Sequence, residues 1–267
     1  MPIQEPHELR QVAESFGIDA QRYDRTRPRY PRELIDRLVA AAPGPAFLDV
    51  GIGTGIVARA LRRRGCRVLG VEPDPRMAEF SRRDGFEVDV ATVEQWDPRG
   101  RLFDAVVAGQ TWHWVDATAG AAKAAGVLRD GGRLALFWNA GQPSPTAAEA
   151  FQAVYERLMP GSMMARAYTS GATAVQLYTS MLDRAADGMR ATGNFEGQER
   201  WRYDWELVYG RDEWLDQLPT QGAHTTLPPE QLSELVTATG AAIDGLGGSF
   251  TMSFSTVAVT ALRATRS

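Results

Sequence analysis

Phe47-Leu48-Asp49-Val50 runs directly into Gly51-Ile52-Gly53-Thr54-Gly55, an apolar segment closing on three alternate glycines. Such a segment reads as a buried strand that turns sharply into a helix, where backbone can approach a ligand and the helix N–H groups are unpaired. A dinucleotide wants the spacing G-x-G-x-x-G, which seats its pyrophosphate on the helix end. The last position of that pattern is Ile56 here, which disfavours a nicotinamide oxidoreductase. Asp49, just ahead of the glycines, repels a pyrophosphate and suits a ligand that carries an ammonium. Glu72, in Val71-Glu72-Pro73, follows the first glycine by about twenty residues, where a carboxylate can accept both hydroxyls of a ribose.

On either side of this turn, short apolar runs alternate with helical periodicity. Strands are predicted at residues 46–50, 67–71, 86–90, 103–108 and 133–138, with helices at 54–64, 75–83 and 116–127 between them. That beat predicts a parallel sheet covered on both faces. After Asn139 it breaks: residues 142–195 are mostly helix-forming and hold Met159, Met163, Met164, Met181 and Met189, flexible apolar side chains suited to varied ligands. Further elements are predicted at 200–208, 212–218, 229–243 and 249–261. Before the sheet, a helix over 5–20 with Leu9, Val12 and Phe16 inward leads to a basic connector, Arg22 to Pro31. Pro28 and Pro31 forbid a continuous helix there, and a second helix follows over 32–42.

The chain has 267 residues, 44% of them hydrophobic, and a formal charge of −4, so no global basic field favours nucleic acid or an anionic membrane. Cys66 is the sole cysteine, which excludes an intramolecular disulfide and a thiolate zinc cluster. His7, His113 and His224 are far apart, so no metal site is expected. No long apolar run and no leader pattern is visible, and the expected location is cytoplasmic.

The segments LDVGIGTG, GVEPDPRM, ATVEQWD, FDAVVAGQTWHWVD and LRDGGRLALFWN, spanning residues 46–139, resemble the class I S-adenosylmethionine-dependent methyltransferases. The flanks, YDRTRPRYP and the stretch from His224 to Glu230, are similar to a small-molecule subgroup related to trans-aconitate methyltransferase. The resemblance implies an α/β, Rossmann-like, doubly wound sheet of seven strands. That sheet is mostly parallel, with an antiparallel C-terminal strand and a helical cap insertion. It divides the chain into residues 1–45 as N-terminal helices and cofactor cover, 46–140 with 196–267 as the cofactor-binding core, and 141–195 as the cap over the acceptor site. It also implies S-adenosyl-L-methionine as cofactor and S-adenosyl-L-homocysteine as product. Asp49, Gly51, Gly53 and Gly55 would surround the methionine moiety, and Glu72 the ribose. Pro73 and Met77 would lie against the adenine, with Thr92, Val93 and Glu94 at its edge. Gln110 would reach the methionine end, and Tyr23, Arg27 and Tyr30 would close over it, a guanidinium suiting the carboxylate.

Methyl transfer needs alignment and desolvation, and a base only if the nucleophile holds its proton. His113, flanked by Trp112 and Trp114, is the candidate base, or else a histidine hydrogen-bonded between tryptophans that orients a loop. Trp112, Trp114, Arg166, Tyr168 and His224 are the candidate acceptor contacts, with Arg184 a further basic residue of the insertion. The loop after the fourth strand has neither proline nor tyrosine over residues 109–112, unlike the Asp/Asn-Pro-Pro-Tyr signature of many DNA and amine N-methyltransferases. The expected activity is therefore methyl transfer to oxygen, or to carbon, of a small-molecule metabolite, with no nucleic acid and no membrane as partner and the oligomeric state open. The competing reading is a catalytically silent cofactor-binding regulator or partner protein.

Overall fold

The computed structural model describes residues 15–169 and 173–265. Its strands are β1 (Ala46–Val50), β2 (Arg67–Glu72), β3 (Glu87–Val90), β4 (Phe103–Gly109), β5 (Leu128–Pro143), β6 (Phe195–Gly210) and β7 (Ser249–Arg263). Its helices are α1 (Ala20–Thr26), α2 (Arg32–Ala40), α3 (Ile56–Arg62), α4 (Pro75–Arg83), α5 (Ala117–Val127), α6 (Pro145–Leu158), α7 (Met163–Thr169), α8 (Ala174–Thr192), α9 (Arg211–Gln217) and α10 (Pro229–Gly245). The strands form one seven-stranded sheet in the order β3-β2-β1-β4-β5-β7-β6. From β3 to β5 the pairing is parallel, and β7 enters antiparallel between β5 and β6. The expected sheet and its inserted last strand are therefore found.

The two faces bury different helices. Leu34, Ile35 and Leu38 of α2 and Val57 and Leu61 of α3 meet Phe47, Val107 and Phe137 on one face. On the other, Ala121 and Ala124 of α5 and Leu182, Ala185 and Met189 of α8 meet Leu48, Val106, Leu136 and Trp138. Helix α8 approaches α5 so closely that a Cβ on Gly188 would lie 2.4 Å from the Ala117 carbonyl oxygen.

That placement corrects the reading of the helical insertion. Its last helix is a sheet-covering helix, and Met189 is fully buried in the core. Met159 and Met164 do pack into a separate aromatic cluster, while the Met163 side chain lies outside the described residues. The insertion also begins later than its sequence suggests. Strand β5 continues to Pro143, because β7 stays in register with it from Arg133↔Leu262 to Pro143↔Met252. These overhanging ends of β5, β6 and β7, with α6, α7, α9 and α10, enclose a cluster centred on Phe151, which lies 6.0 Å from Trp214 and 5.0 Å from Phe250 between ring centroids.

The basic connector is shorter than expected. Residues 5–14 of the first predicted helix, His7 among them, lie outside the described residues. Arg22, Tyr23 and Arg25 belong to α1, whose first turn is capped by the Asp19 carboxylate accepting from Arg22 N–H at 2.9 Å. Pro28 forces only Arg27 into extended backbone, so the helix persists to Thr26.

Candidate active site

The glycine turn is built as its composition requires. Gly51, Gly53 and Gly55 have φ of +66°, +55° and +84°, a region that other residues enter only with strain. A Cβ on Gly51 would lie 2.2 Å from the Thr111 methyl, so the β1 turn and the loop after β4 touch backbone to side chain. A Cβ on Gly53 would meet nothing nearer than the Gly51 carbonyl oxygen at 3.9 Å. The turn is therefore tight beneath Gly51 and open above Gly53. Ile52 anchors it from below, filling the space that Gly70 of β2 leaves.

Two carboxyls lie under this opening. Asp49 is 1% exposed, and its Oδ2 accepts no hydrogen bond. Burial, reinforced by the neighbouring Glu72 charge, pushes its carboxyl up to about 8. Glu72 accepts from Gly53 N–H at 2.9 Å and from Asp74 N–H at 3.0 Å. Burial pushes it up to about 7, those two amides working in the opposite direction.

The cover reaches the same place from the N-terminal side. Tyr30 packs edge-on to Phe137 at 4.9 Å, and its hydroxyl occupies the position a Cβ on Gly109 would need. That hydroxyl feels the charges of both Asp49 and Arg27, and burial raises its pKa well above that of an ordinary phenol. The Arg27 guanidinium lies 4.5 Å above the Tyr23 ring and donates to the Thr220 carbonyl. Its Nε is buried without a partner, and among the described residues it pairs with no carboxylate. Tyr23, Arg27, Tyr30 and Asp49 are thus brought together. Gln110 joins them with φ +58°, its side chain donating to the Asn139 carbonyl at 3.1 Å and facing the Tyr178 hydroxyl of α8.

The adenine-side residues divide. Pro73 is half-buried and Thr92 has a buried Oγ1 without a partner. Met77 is buried on α4, and Val93 is a core residue, leaving its backbone to any ligand. Glu94 accepts from Asp116 N–H at 3.2 Å, at the start of α5.

The acceptor-side candidates do not converge. Trp112 is 2% exposed and packs in the core against Gly120, so it faces inward and not toward a ligand. His224 is fully enclosed: Nδ1 donates to the Leu218 carbonyl at 2.9 Å and Nε2 accepts from the Tyr155 hydroxyl at 3.1 Å. Both nitrogens are spent on joining α6 to the 218–224 segment, which makes it a structural residue. Tyr168 lies in the aromatic cluster 5.7 Å from Tyr155, and Arg166 is exposed. His113 and Trp114 remain half-buried at the end of β4 with ring centroids 4.6 Å apart. His113 Nδ1 accepts from the Trp138 indole N–H at 3.2 Å, and burial lowers its pKa to about 4.

Sequence reasoning missed Asn139, Thr111, Tyr178 and Trp138. Asn139 signalled itself as a polar residue ending an apolar strand. It is 4% exposed, accepts from Thr256 Oγ1 at 2.6 Å and donates to the Arg29 carbonyl at 3.2 Å. Tyr178 gave no signal, since a tyrosine in a helical stretch is ordinarily a packing residue.

A family model described as a methyltransferase domain matches residues 48–136, the segment from the glycine turn through the core of β5. An uncharacterized methyltransferase of Mycobacterium bovis is 41% identical over 133 residues, covering 49% of this chain and 54% of that one. A ubiquinone biosynthesis O-methyltransferase of Methylocella silvestris is 32% identical over 130 residues, 46% of each chain. The chain spans about half the length of these curated relatives. A solved structure from Anaeromyxobacter dehalogenans, assigned as a type II methyltransferase, aligns with a TM-score of 0.62 at 24% identity, covering 90% of this chain and 99% of that one. The strand order and this likeness give the chain a Rossmann-like α/β fold.

S-adenosylmethionine, the cofactor that the resemblance implies, fits the residues gathered around the glycine turn. It carries an ammonium, a carboxylate, a ribose and an adenine. The site offers a buried carboxylate with one unpartnered oxygen at Asp49, a guanidinium with no counter-ion among the described residues at Arg27, a carboxylate at Glu72, an unpartnered hydroxyl at Thr92 and open space above Gly53. Among the described residues no group of three potential ligands could hold a metal ion, and no helix is long and apolar enough to cross a membrane.

Proposed function

We propose that the protein transfers a methyl group from S-adenosylmethionine to an oxygen atom of a small-molecule acceptor, carbon being the second choice. The observation that carries this reading is Asp49, a buried carboxyl with an unpartnered oxygen beneath an open glycine turn. A polar atom left bare in a protein interior costs about 1–3 kcal/mol unless a ligand completes it. When bound, the cofactor supplies a methyl group already activated by its sulfonium.

Asp49 would accept from the cofactor ammonium, and Arg27 would fork onto its carboxylate. Each Glu72 oxygen, already holding one backbone amide, retains a lone pair for a ribose hydroxyl. Thr92 and the Val93 backbone meet the adenine edge, with Pro73 and Met77 on its face. Gln110, tied to Asn139, keeps the loop after β4 in place and orients the methionine end. The cover excludes water, which leaves alignment and desolvation to lower the barrier. Oxygen as the target draws support from the relatives that carry O-methyltransferase in their names. A small acceptor and a cytoplasmic setting accord with the net charge of −4.

Titration calorimetry with S-adenosylmethionine and S-adenosylhomocysteine tests the cofactor. Incubation with a methyl-labelled cofactor and a metabolite extract tests the transfer. Binding with label appearing in an extract component is the expected result. Tight binding of a nicotinamide dinucleotide without binding of S-adenosylmethionine overturns the reading, and cofactor binding with no methylated product leaves a silent binding protein.

A further inference from the structure

The indole N–H of Trp138 can only donate. It points at His113 Nδ1 from 3.2 Å, so that nitrogen must present its lone pair, and a neutral imidazole then carries its proton on Nε2. Trp138 is 0% exposed in the core of β5, which leaves the donor no freedom to turn away. His113 itself is only half-buried; its Nε2 makes no hydrogen bond among the described residues and is not among the buried unpartnered atoms. A fixed donor on one nitrogen of a half-exposed ring, in the 3-10 turn Trp112–Trp114 that follows β4, is an arrangement for offering a hydrogen bond from the other. It is the wrong arrangement for removing a proton, because the only basic nitrogen is already occupied.

We infer that Trp138 is a positioning residue that holds His113 in its neutral Nε2–H form, so that His113 meets the acceptor as a hydrogen-bond donor and not as a base. This rests on the methyl-transfer reading above and sharpens its substrate class. A donor at His113 suits an acceptor whose reacting oxygen arrives ionised, since an oxygen anion is what an imidazole N–H binds best. The charged groups of the packed elements leave the ring alone. On α8, Asp183 pairs with Arg200 and Asp187 with Arg190. On α5, Lys123 donates to the Trp96 carbonyl and Asp116 caps the helix. Tyr178 faces Gln110, and burial is the one cause of the shift at His113.

The test is histidine-selective 15N NMR of the whole chain without cofactor, with His113→Gln identifying the signal. The expected spectrum is a single Nε2–H form that stays neutral from pH 5 to 9. In Trp138→Phe, which keeps an aromatic ring but removes the donor, it becomes a mixture of the two neutral forms. A wild-type Nδ1–H form, or titration near 6.5, overturns the proposal. Kinetics give a second, independent reading. His113→Ala lowers kcat about 10–100-fold. His113→Gln, whose amide N–H reaches where Nε2–H was, recovers most of that loss and leaves the kcat–pH profile superimposable on wild type. A glutamine variant as slow as the alanine one, with a wild-type limb lost in both, overturns it. Should no acceptor be methylated at all, the methyl-transfer reading has failed while the NMR result still decides the state of His113.

Discussion

Asp49 and Glu72 put two carboxyls where charge is expensive, and that expense is readable in pH. Both have native pKa values raised above those of an unfolded chain, to about 8 and about 7. Between about pH 4 and 8 the native state therefore binds more protons than the unfolded state, and stability falls as pH rises through that window. Asp49→Asn removes the largest part of this penalty. The cofactor-free variant is expected to melt roughly 2–6 °C higher than wild type at pH 8 and at the same temperature near pH 4, by calorimetry. The same variant should lose at least about tenfold in S-adenosylmethionine affinity, since the partner of the ammonium is gone. Stability and ligand binding thus move in opposite directions, which a merely damaged protein would not show. The glycines separate in the same way. Gly51→Ala drives a Cβ into Thr111 at a φ of +66° and should cost about 2–4 kcal/mol of stability in denaturant unfolding. Gly53→Ala meets no neighbour and should cost only about 1 kcal/mol, yet it fills the space above the turn and weakens cofactor binding severalfold.

At the scale of elements, what was legible and what was not follows from which interactions are local. Strands β1, β2, β4 and the centre of β5 were readable because a strand buried on both faces is mostly apolar, and the glycine turn because positive φ demands glycine. The length of β5 was hidden: Gly141, Gln142 and Pro143 look like a loop, and only pairing with distant β7 makes them strand. Helix α8 looked like a cap for the same reason, since a helical sequence does not state which surface it will cover. His224 shows the limit for side chains. A histidine beside threonines in a loop suggests a pocket, but its two partners come from residues 155 and 218 and are invisible to spacing. His224→Ala should therefore cost about 1–3 kcal/mol in unfolding experiments and leave the Kd for the cofactor within about twofold. Loss of binding without loss of stability would return His224 to the ligand site.

Over the whole molecule, the cover is fastened at both ends. Arg22 and Arg25 both bond Asp216 of α9, at 2.9 and 2.8 Å. Asp24 of α1 bonds Arg59 of α3, which also holds the Thr54 carbonyl in the glycine turn at 2.7 Å. Ser15 meets Thr225 at 2.6 Å. Exposed ion pairs contribute little singly, and a shared carboxylate contributes more. On the proposed reading, in which residues 15–31 close over the cofactor, the cofactor leaves only when these contacts open. Asp216→Ala is expected to raise the cofactor dissociation rate about three- to tenfold in stopped-flow measurements, and added salt should mimic part of that effect in the wild type.

The last strand of the sheet, β6, is paired among the described residues only with β7, so the other edge of its sixteen residues has no strand partner there. Every second residue from Arg200 to Glu206 on its uncovered face is charged: Arg200, Arg202, Asp204 and Glu206. A strand from another chain adding to that edge would have to dehydrate this row, and the mixed signs favour no uniform partner. Such a row of charges is how a sheet can end in a long unpaired strand without offering an easy edge for fibre growth. The same row makes β6 the place where swapping charge for valine would first turn a folded protein into an aggregating one.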